Sequence, residues 1–468
     1  MSRPAVPRYR RLATTVWHRR AGDVEITDHE IEVPLRHREP DGRTITVFAR
    51  EFVSISARRR LAVGRDLPRL VYLQGGPGAR AIRPPLPGWC ARLLDDYAVV
   101  MLDQRGTGRS TPCTARSLGE LLSRQGASGV AEYLTHFRAD AIVGDAEALR
   151  TALQQDTPWT SLGQSYGGFV TLSYLSAAPA GLLECYVTGG LPDPTADART
   201  VYEHTLTQTA ATNAAYFHQW PADRAQLHRI RAHLAAHDER LPNGMRLTPR
   251  WLQMLGGKLG GRSGQDQLHA LLVDAFVPGV AGAASMLSDV FLNEVGSALS
   301  FAAAPLYAVL HESIYAQGAA TDWAAVEVLG RHPELAVDAD PMCLLGEVTQ
   351  PFFFTDDPAL RPLAPVADLL AEWTDWPPLY DADRLAGNQV PEYAAVYADD
   401  MFVPRHLSLS AAGTVGSVTA WLTEDYLHDG IRDGDEVLDR LRAFAADPAD
   451  ARPPRSSGRR HRRVGRTD

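Results

Sequence analysis

The segment Gly163-Gln164-Ser165-Tyr166-Gly167-Gly168 has the residue types and spacing of a nucleophile held on a tight turn. A short apolar run ending at Leu162 leads into it, and a helical run from Phe169 to Ser176 follows. Ser165 would therefore stand where a strand turns sharply into a helix. Such an elbow strains the serine backbone, and side chains two residues to either side would collide, which explains Gly163 and Gly167. The start of the helix aims the Tyr166 N–H at a developing oxyanion. Earlier in the chain, Gln74-Gly75-Gly76-Pro77-Gly78 closes another apolar run. Three glycines and a proline in five residues describe backbone conformations that side chains forbid. Gly76 N–H is the candidate second donor of an oxyanion hole, so the chemistry in view is acyl transfer through a serine.

A serine nucleophile needs a base and a group that orients the base, and after an elbow of this kind they follow in the order serine, acid, histidine. Of the 15 histidines, only His406, His428 and His461 lie beyond the point near Ala394 where strand patterns resume. His461 sits in a basic tail and His406 in what reads as the start of a helix. His428 follows the run Val418 to Thr423 and precedes a helix expected near Asp433, which places it over the carboxyl edge of a sheet. For the acid, Ala398-Asp399-Asp400-Met401-Phe402-Val403-Pro404 ends a strand and turns at the proline. Adjacent residues leave a strand end in opposite directions, and the turn favours Asp400 over Asp399. Asp103-Gln-Arg-Gly-Thr-Gly-Arg-Ser110 lacks the spacing of a phosphate loop. Its charges read as an Asp103–Arg105 pair bracing the loops.

The elements that must carry these residues are legible as short runs: Leu70–Gln74, Tyr97–Asp103, Trp159–Gly163 and Glu184–Thr188. Continuous apolar runs closed by Gly, Asp or Ser are typical of parallel strands buried on both faces, so an α/β sheet is expected. Phe137 to Gln154 fits a crossover helix. From about Pro192 to Asp383 the pattern is helical with almost no strand signal; in Asn213 to His237, Leu227, Ile230 and Leu234 share one face. Strands return at Ala394–Ala398 and Val418–Thr423, so the helical block reads as an insertion. The expected division is an α/β core over 1–191 and 384–450, a helical cap over 192–383, and a solvated basic tail over 451–468.

The chain has 468 residues, 45% of them hydrophobic and 22% charged, which excludes disordered, fibrous and disulfide-scaffold classes. A formal net charge of -9 gives no footprint for nucleic acid or an anionic membrane. The Arg-rich stretch Met1 to Gly22 has no apolar centre and no apolar run reaches membrane-spanning length, so a soluble, cytoplasmic protein is expected. Cys90, Cys113, Cys185 and Cys343 show no metal-type spacing and read as buried thiols. No metal or organic cofactor is implied.

Taken together, the Gly75 to Gly78 loop, the Asp103 to Ser110 segment, the Gly163 to Gly168 elbow, the Asp400 to Pro404 turn and His428 resemble the proline iminopeptidases, over about Val47 to Phe444. The likeness is closest to the longer bacterial branch with its larger cap. The resemblance implies an α/β-hydrolase fold, mostly parallel in its central sheet, with a large inserted helical cap. It also implies a serine exopeptidase acting on small peptides with a free N-terminus. In that family cap carboxylates hold the substrate amine, and His311-Glu312-Ser-Ile-Tyr315 and Gly346-Glu347 are similar to such segments, nominating Glu312 and Glu347. A buried ammonium without an anion is very costly, which is the physical reason for a carboxylate there. Two departures stand out. Gln74 replaces the first residue of the usual H-G-G-P-G, which removes an imidazole and keeps the backbone donors. Val348 to Phe354 departs from the family pattern and bears on the shape of the pocket. An esterase or amidase on the same triad, and a hydrolase-fold binding protein without catalysis, are the competing readings.

Overall fold

Alternate residues of the apolar runs face opposite sides of one sheet. Val71 and Leu73 pack into one core layer, and so do Val100 and Leu102. Their neighbours Leu70, Tyr72, Val99 and Met101 pack into the other. The computed structural model describes residues 11–12, 22–61, 65–282 and 284–446; most of the Arg-rich start, the basic tail and His461 lie outside the described residues.

The strands in chain order are β1 (Arg11–Leu12), β2 (Val24–Pro34), β3 (Thr44–Ser54), β4 (Arg69–Leu73), β5 (Ala98–Asp103), β6 (Trp159–Gln164), β7 (Leu182–Thr188), β8 (Phe276–Val277), β9 (Met286–Leu287), β10 (Glu392–Tyr397) and β11 (Val418–Thr423). Nine of them form one sheet in the order β1-β2-β3-β5-β4-β6-β7-β10-β11. Every pairing from β5 to β11 is parallel, and β1, β2 and β3 add antiparallel at one edge. Strand order reverses at β4, which lies between β5 and β6. The loops leaving the carboxyl ends of β4 and β6 therefore open beside each other, where ligands bind in sheets of this kind.

The crossover between β5 and β6 holds two helices, Ala115–Leu134 and Ala139–Gln154, the first of which the apolar pattern did not reveal. Between β7 and β10 the regular structure is almost all helical, with irregular stretches between the helices. The stretch 213–237 is not one helix but the end of Ala198–Gln219 and all of Pro221–Ala236. Pro221 supplies the break, because it lacks an N–H and clashes with the preceding turn, and it is well suited to open the next helix. Leu227, Ile230 and Leu234 are buried together as their spacing implies. β8 and β9 make a two-residue hairpin, too short to leave a periodic trace. No helix among the described residues is long and apolar enough to cross a membrane. All four cysteines are free thiols, and Cys343 is only partly buried. Burial pushes the Cys90 and Cys113 thiols up to about 12.

One carboxyl group deep in the sheet lacks any partner among the described residues. Glu392, the first residue of β10, is fully buried, and neither carboxyl oxygen has a hydrogen-bond partner among the described residues. Burial raises its pKa to about 8. In the unfolded chain it titrates near 4.5, so between these values the folded protein keeps a proton that the unfolded chain has lost. Stability therefore falls as pH rises through that window, by up to about 1.4 kcal/mol per pH unit, and levels off above the folded value. Glu392→Gln keeps the shape and removes the titration. Urea melts at pH 5 to 9 are expected to show a declining midpoint for the wild type and a flatter, higher one for Glu392→Gln above pH 7.

Candidate active site

The elbow has the strain its sequence implies. Ser165 leaves β6 at φ 55 and ψ -125 and enters the helix Tyr166–Ala177. Its backbone is pinned by Ser165 N–H donating to Thr188 O at 3.1 Å and by Gly168 N–H donating to Ser165 O at 2.8 Å. The two glycines are needed for reasons the motif alone did not separate. A Cβ on Gly163 would lie 2.5 Å from Gly167 O, and one on Gly167 only 1.9 Å from Leu73 O in β4. The elbow is thus wedged against the neighbouring strand as well as folded on itself.

The loop after β4 lies directly on this turn. A Cβ at Gly75 would sit 3.1 Å from Ser165 Cβ, and Gly76 holds φ +140, a value that side chains rarely allow. Gly76 N–H has no acceptor among the described residues. Tyr166 N–H, in the first turn of its helix, has no intrahelical one. The Gly75–Gly76 loop and the first turn of the helix thus both border Ser165. Gln74 is buried, and its carbonyl accepts from Gln104 Nε2 at 2.8 Å, so this position holds the loop through its backbone.

The Asp103–Arg105 pair does not form. Arg105 makes a two-pronged pair with Asp145, at 2.7 and 2.6 Å. Asp103 instead meets Arg83 and accepts from the backbone N–H groups of Ala81 and Arg109 at 3.1 and 2.9 Å. β5 ends at Asp103, so Arg105 lies in the turn beyond the strand and its side chain is not held to the Asp103 face; each finds its own counter-charge. Bracing of the loops is retained with different partners.

Asp400 and His428 arrive from the loops after β10 and β11. One oxygen of Asp400 accepts from Phe402 N–H and Val403 N–H, both at 2.9 Å. The other meets His428 Nδ1 at 2.8 Å. Asp399 is exposed. His428 and Ser165 flank the same glycine pair at the end of β7: a Cβ on Gly189 would lie 3.2 Å from His428 Nδ1, and one on Gly190 2.3 Å from Ser165 O. Burial pulls the imidazole pKa down, but the charge and hydrogen bond of Asp400, with the charges of Glu347 and Asp429, outweigh it and hold it above its ordinary value. His406 is in the helix Arg405–Thr414.

The two cap carboxylates have different surroundings. Glu312 is buried and spends its oxygens on backbone, accepting from Ala324 N–H at 3.2 Å and Ala325 N–H at 2.8 Å. It caps the helix Ala324–Leu329 and is not among the residues that line the cavity holding Glu347. Glu347 does: it lines a cavity of about 330 Å³ together with Pro77, Ala79, Tyr307 and Phe402. Its Oε2 lies 3.5 Å from His311 Nε2. Burial raises its pKa, but His311, His428 and the Tyr307 hydroxyl lower it further and keep the carboxylate charged. Val348, Thr349 and Phe353, from the segment that departs from the family pattern, line the same cavity. A residue the motifs did not flag is Phe402, whose ring stands edge-to-face on His428 at 4.9 Å; its position two residues after the acid was the only available signal.

Residues 68–239 match the family model described as the alpha/beta hydrolase fold. The chain is 44% identical over 417 residues to a proline iminopeptidase of Aeromonas sobria, covering 88% of this chain and 95% of that protein. It is 32% identical over 449 residues to the proline iminopeptidase aneH of Aspergillus aculeatus, covering 92% and 96%. A solved structure of a proline iminopeptidase from Mycobacterium smegmatis aligns over 88% of this chain and 97% of its own, at 15% identity and a TM-score of 0.40. Identity of this level across nearly the whole of both chains, on the fold that the elbow implied, establishes that the protein belongs to the proline iminopeptidase family.

Proposed function

We propose that this protein is a serine exopeptidase that releases an N-terminal proline, or a similarly small residue, from peptides. Ser165 attacks the first carbonyl of the peptide, His428 takes the proton and returns it to the leaving amine, and Asp400 fixes the imidazole tautomer. The Tyr166 and Gly76 N–H groups bind the oxyanion. Water then hydrolyses the acyl-enzyme by the same route, and none of these steps requires a metal or organic cofactor. Residues 192–383 act as the cap that closes over the substrate. The free thiols fit a reducing, cytoplasmic setting.

The observation that carries the peptide reading is the charged Glu347, which feels the charge of His428 and lines a cavity shared with Phe402, the ring that packs on His428. A peptide with a free N-terminus brings a cation to that place. A carboxylate there neutralises the cation and offers no partner to an acylated amine, so chains extending further upstream are excluded. Glu347→Gln removes the charge and keeps the shape. It is expected to lower kcat/KM on prolyl-naphthylamide by roughly 10²-fold or more, the effect of stranding one partner of a buried charge pair. Hydrolysis of p-nitrophenyl acetate, which carries no ammonium, should be nearly unchanged. Glu312→Gln, at a helix cap, should shift thermal stability more than either activity. Equal loss of both activities in Glu347→Gln would make that residue structural, and loss of neither would favour an esterase acting on neutral substrates.

A further inference from the structure

Phe402 makes two contacts that join the catalytic loops to the cap. Its ring meets the His428 imidazole at 4.9 Å and 90°. The ring also lies between two cap glycines, with Met401 beside it at the second. A Cβ on Gly260 would lie 2.0 Å from Phe402 Cε2, and one on Gly346 3.1 Å from Cε1. Gly260 has no left-handed φ, so it is the ring that excludes a side chain there. Gly346 is joined directly to Glu347. The backbone N–H of Phe402 also holds Asp400. Finally, the ring borders two spaces at once, the cavity containing Glu347 and a smaller apolar cavity lined by Phe169, Tyr315, Tyr380 and Val403.

We infer that Phe402 is a positioning residue that keys the cap onto the catalytic loops, so that seating its ring between Gly260 and Gly346 sets the imidazole and the cap carboxylate in one register. This rests on the proposed roles of Ser165, His428 and Asp400. The physical reason is that a packed aromatic slot is bistable: the ring either fills it or is expelled, and an imidazole resting on that ring moves with it. A displacement of about 1 Å at a catalytic group costs on the order of 10²-fold in rate.

The test is a cycle of variants assayed on prolyl-naphthylamide and p-nitrophenyl acetate, with kcat expressed per folded molecule. Phe402→Ala is expected to lower kcat on both substrates by roughly 10- to 100-fold. It should also move the acid limb of the pH–rate profile upward, because water admitted to the imidazole relieves the burial that pulls its pKa down. Gly260→Ala, a single methyl on the cap, should lower kcat in the same way by displacing the ring. Adding Phe402→Leu to Gly260→Ala should recover most of that loss, because the smaller side chain makes room for the methyl. The inference is overturned if Phe402→Ala keeps wild-type kcat per folded molecule with an unmoved acid limb, or if the double variant is no better than Gly260→Ala. Should Phe402→Ala fail to fold, the Gly260 pair decides alone. A wild-type enzyme active on the ester and inert on every aminoacyl amide would refute the peptide reading, while the ester assay would still judge Phe402.

Discussion

Ser165→Ala is expected to leave a folded protein whose turnover of prolyl-naphthylamide is lower by about 10⁶-fold. The size of the effect follows from how few other groups could replace the hydroxyl. Ser165 is the residue at φ 55 on the elbow, bordered by the Gly75 loop on one side and on the other by the glycine pair after β7 that also borders His428. Without its oxygen the two N–H donors and the imidazole have no covalent step to assist, and only the residual catalysis of positioned groups remains. Alanine keeps the Cβ, so the contact with Gly75 survives and the left-handed backbone is no more strained than before. The melting midpoint should move by no more than about 2 °C, as for substitutions that create no cavity and strand no polar group. Intact mass after fluorophosphonate treatment checks the same point, since wild type should gain one adduct and the variant none. Wild-type turnover in Ser165→Ala would sink the mechanism.

Asp400→Asn should cost on the order of 10⁴ in kcat/KM, and the local hydrogen bonds explain why an isosteric change is so severe. The Phe402 and Val403 N–H groups both donate to one oxygen of Asp400. In the amide that position must stay an oxygen, so the NH₂ group is turned toward His428 Nδ1. It then donates where the carboxylate accepted, the imidazole proton is driven to Nε2, and the base presents a proton to the serine instead of a lone pair. The same change deletes the main influence that holds the His428 pKa up, so the acid limb of any residual activity should move to lower pH. Asp399→Asn, at an exposed position, should behave as wild type in both respects. A crippling Asp399→Asn beside a mild Asp400→Asn would reverse the assignment.

The parts of this molecule that could be read from the sequence are those where one residue type has few physical uses. The strands β4, β5, β6 and β7 announce themselves because a strand covered on both faces must be apolar throughout, and their bounds fall within about two residues of the runs. The elbow is equally legible, since Gly163 and Gly167 sit where a Cβ would enter backbone. β2 and β3 leave little apolar signature because each runs through polar residues, Asp28, Glu30 and Glu32 in β2 and Thr44, Thr46 and Arg50 in β3; the signal in β3 is the weaker alternation of Ile45, Val47 and Ala49. Charge pairing was the least legible feature. Asp103 and Arg105 are two apart in the chain and opposite in sign, yet each pairs with a residue distant in sequence, Arg83 and Asp145 respectively. Similarly, nothing in the spelling of His311-Glu312 and Gly346-Glu347 tells that one carboxylate ends a helix while the other faces a cavity. Those differences are set by long-range packing, which a local pattern does not contain.

The order of strands in the sheet has a consequence for how the enzyme comes into being. β7 pairs with β10 in register, Cys185 against Glu392, across the entire helical insertion. Closing so long a loop costs little extra free energy, because the entropy grows only with the logarithm of its length. It is slow all the same, because parallel pairings between distant segments form late. At ribosomal speeds the chain carries its elbow serine for on the order of tens of seconds before Asp400 and His428, the proposed acid and base, exist at all. When they do emerge, they join the site only as β10 pairs with β7 and β11 with β10. Peptidase activity is thus the last property a newly made molecule acquires, and a nascent chain with a finished elbow is still chemically silent.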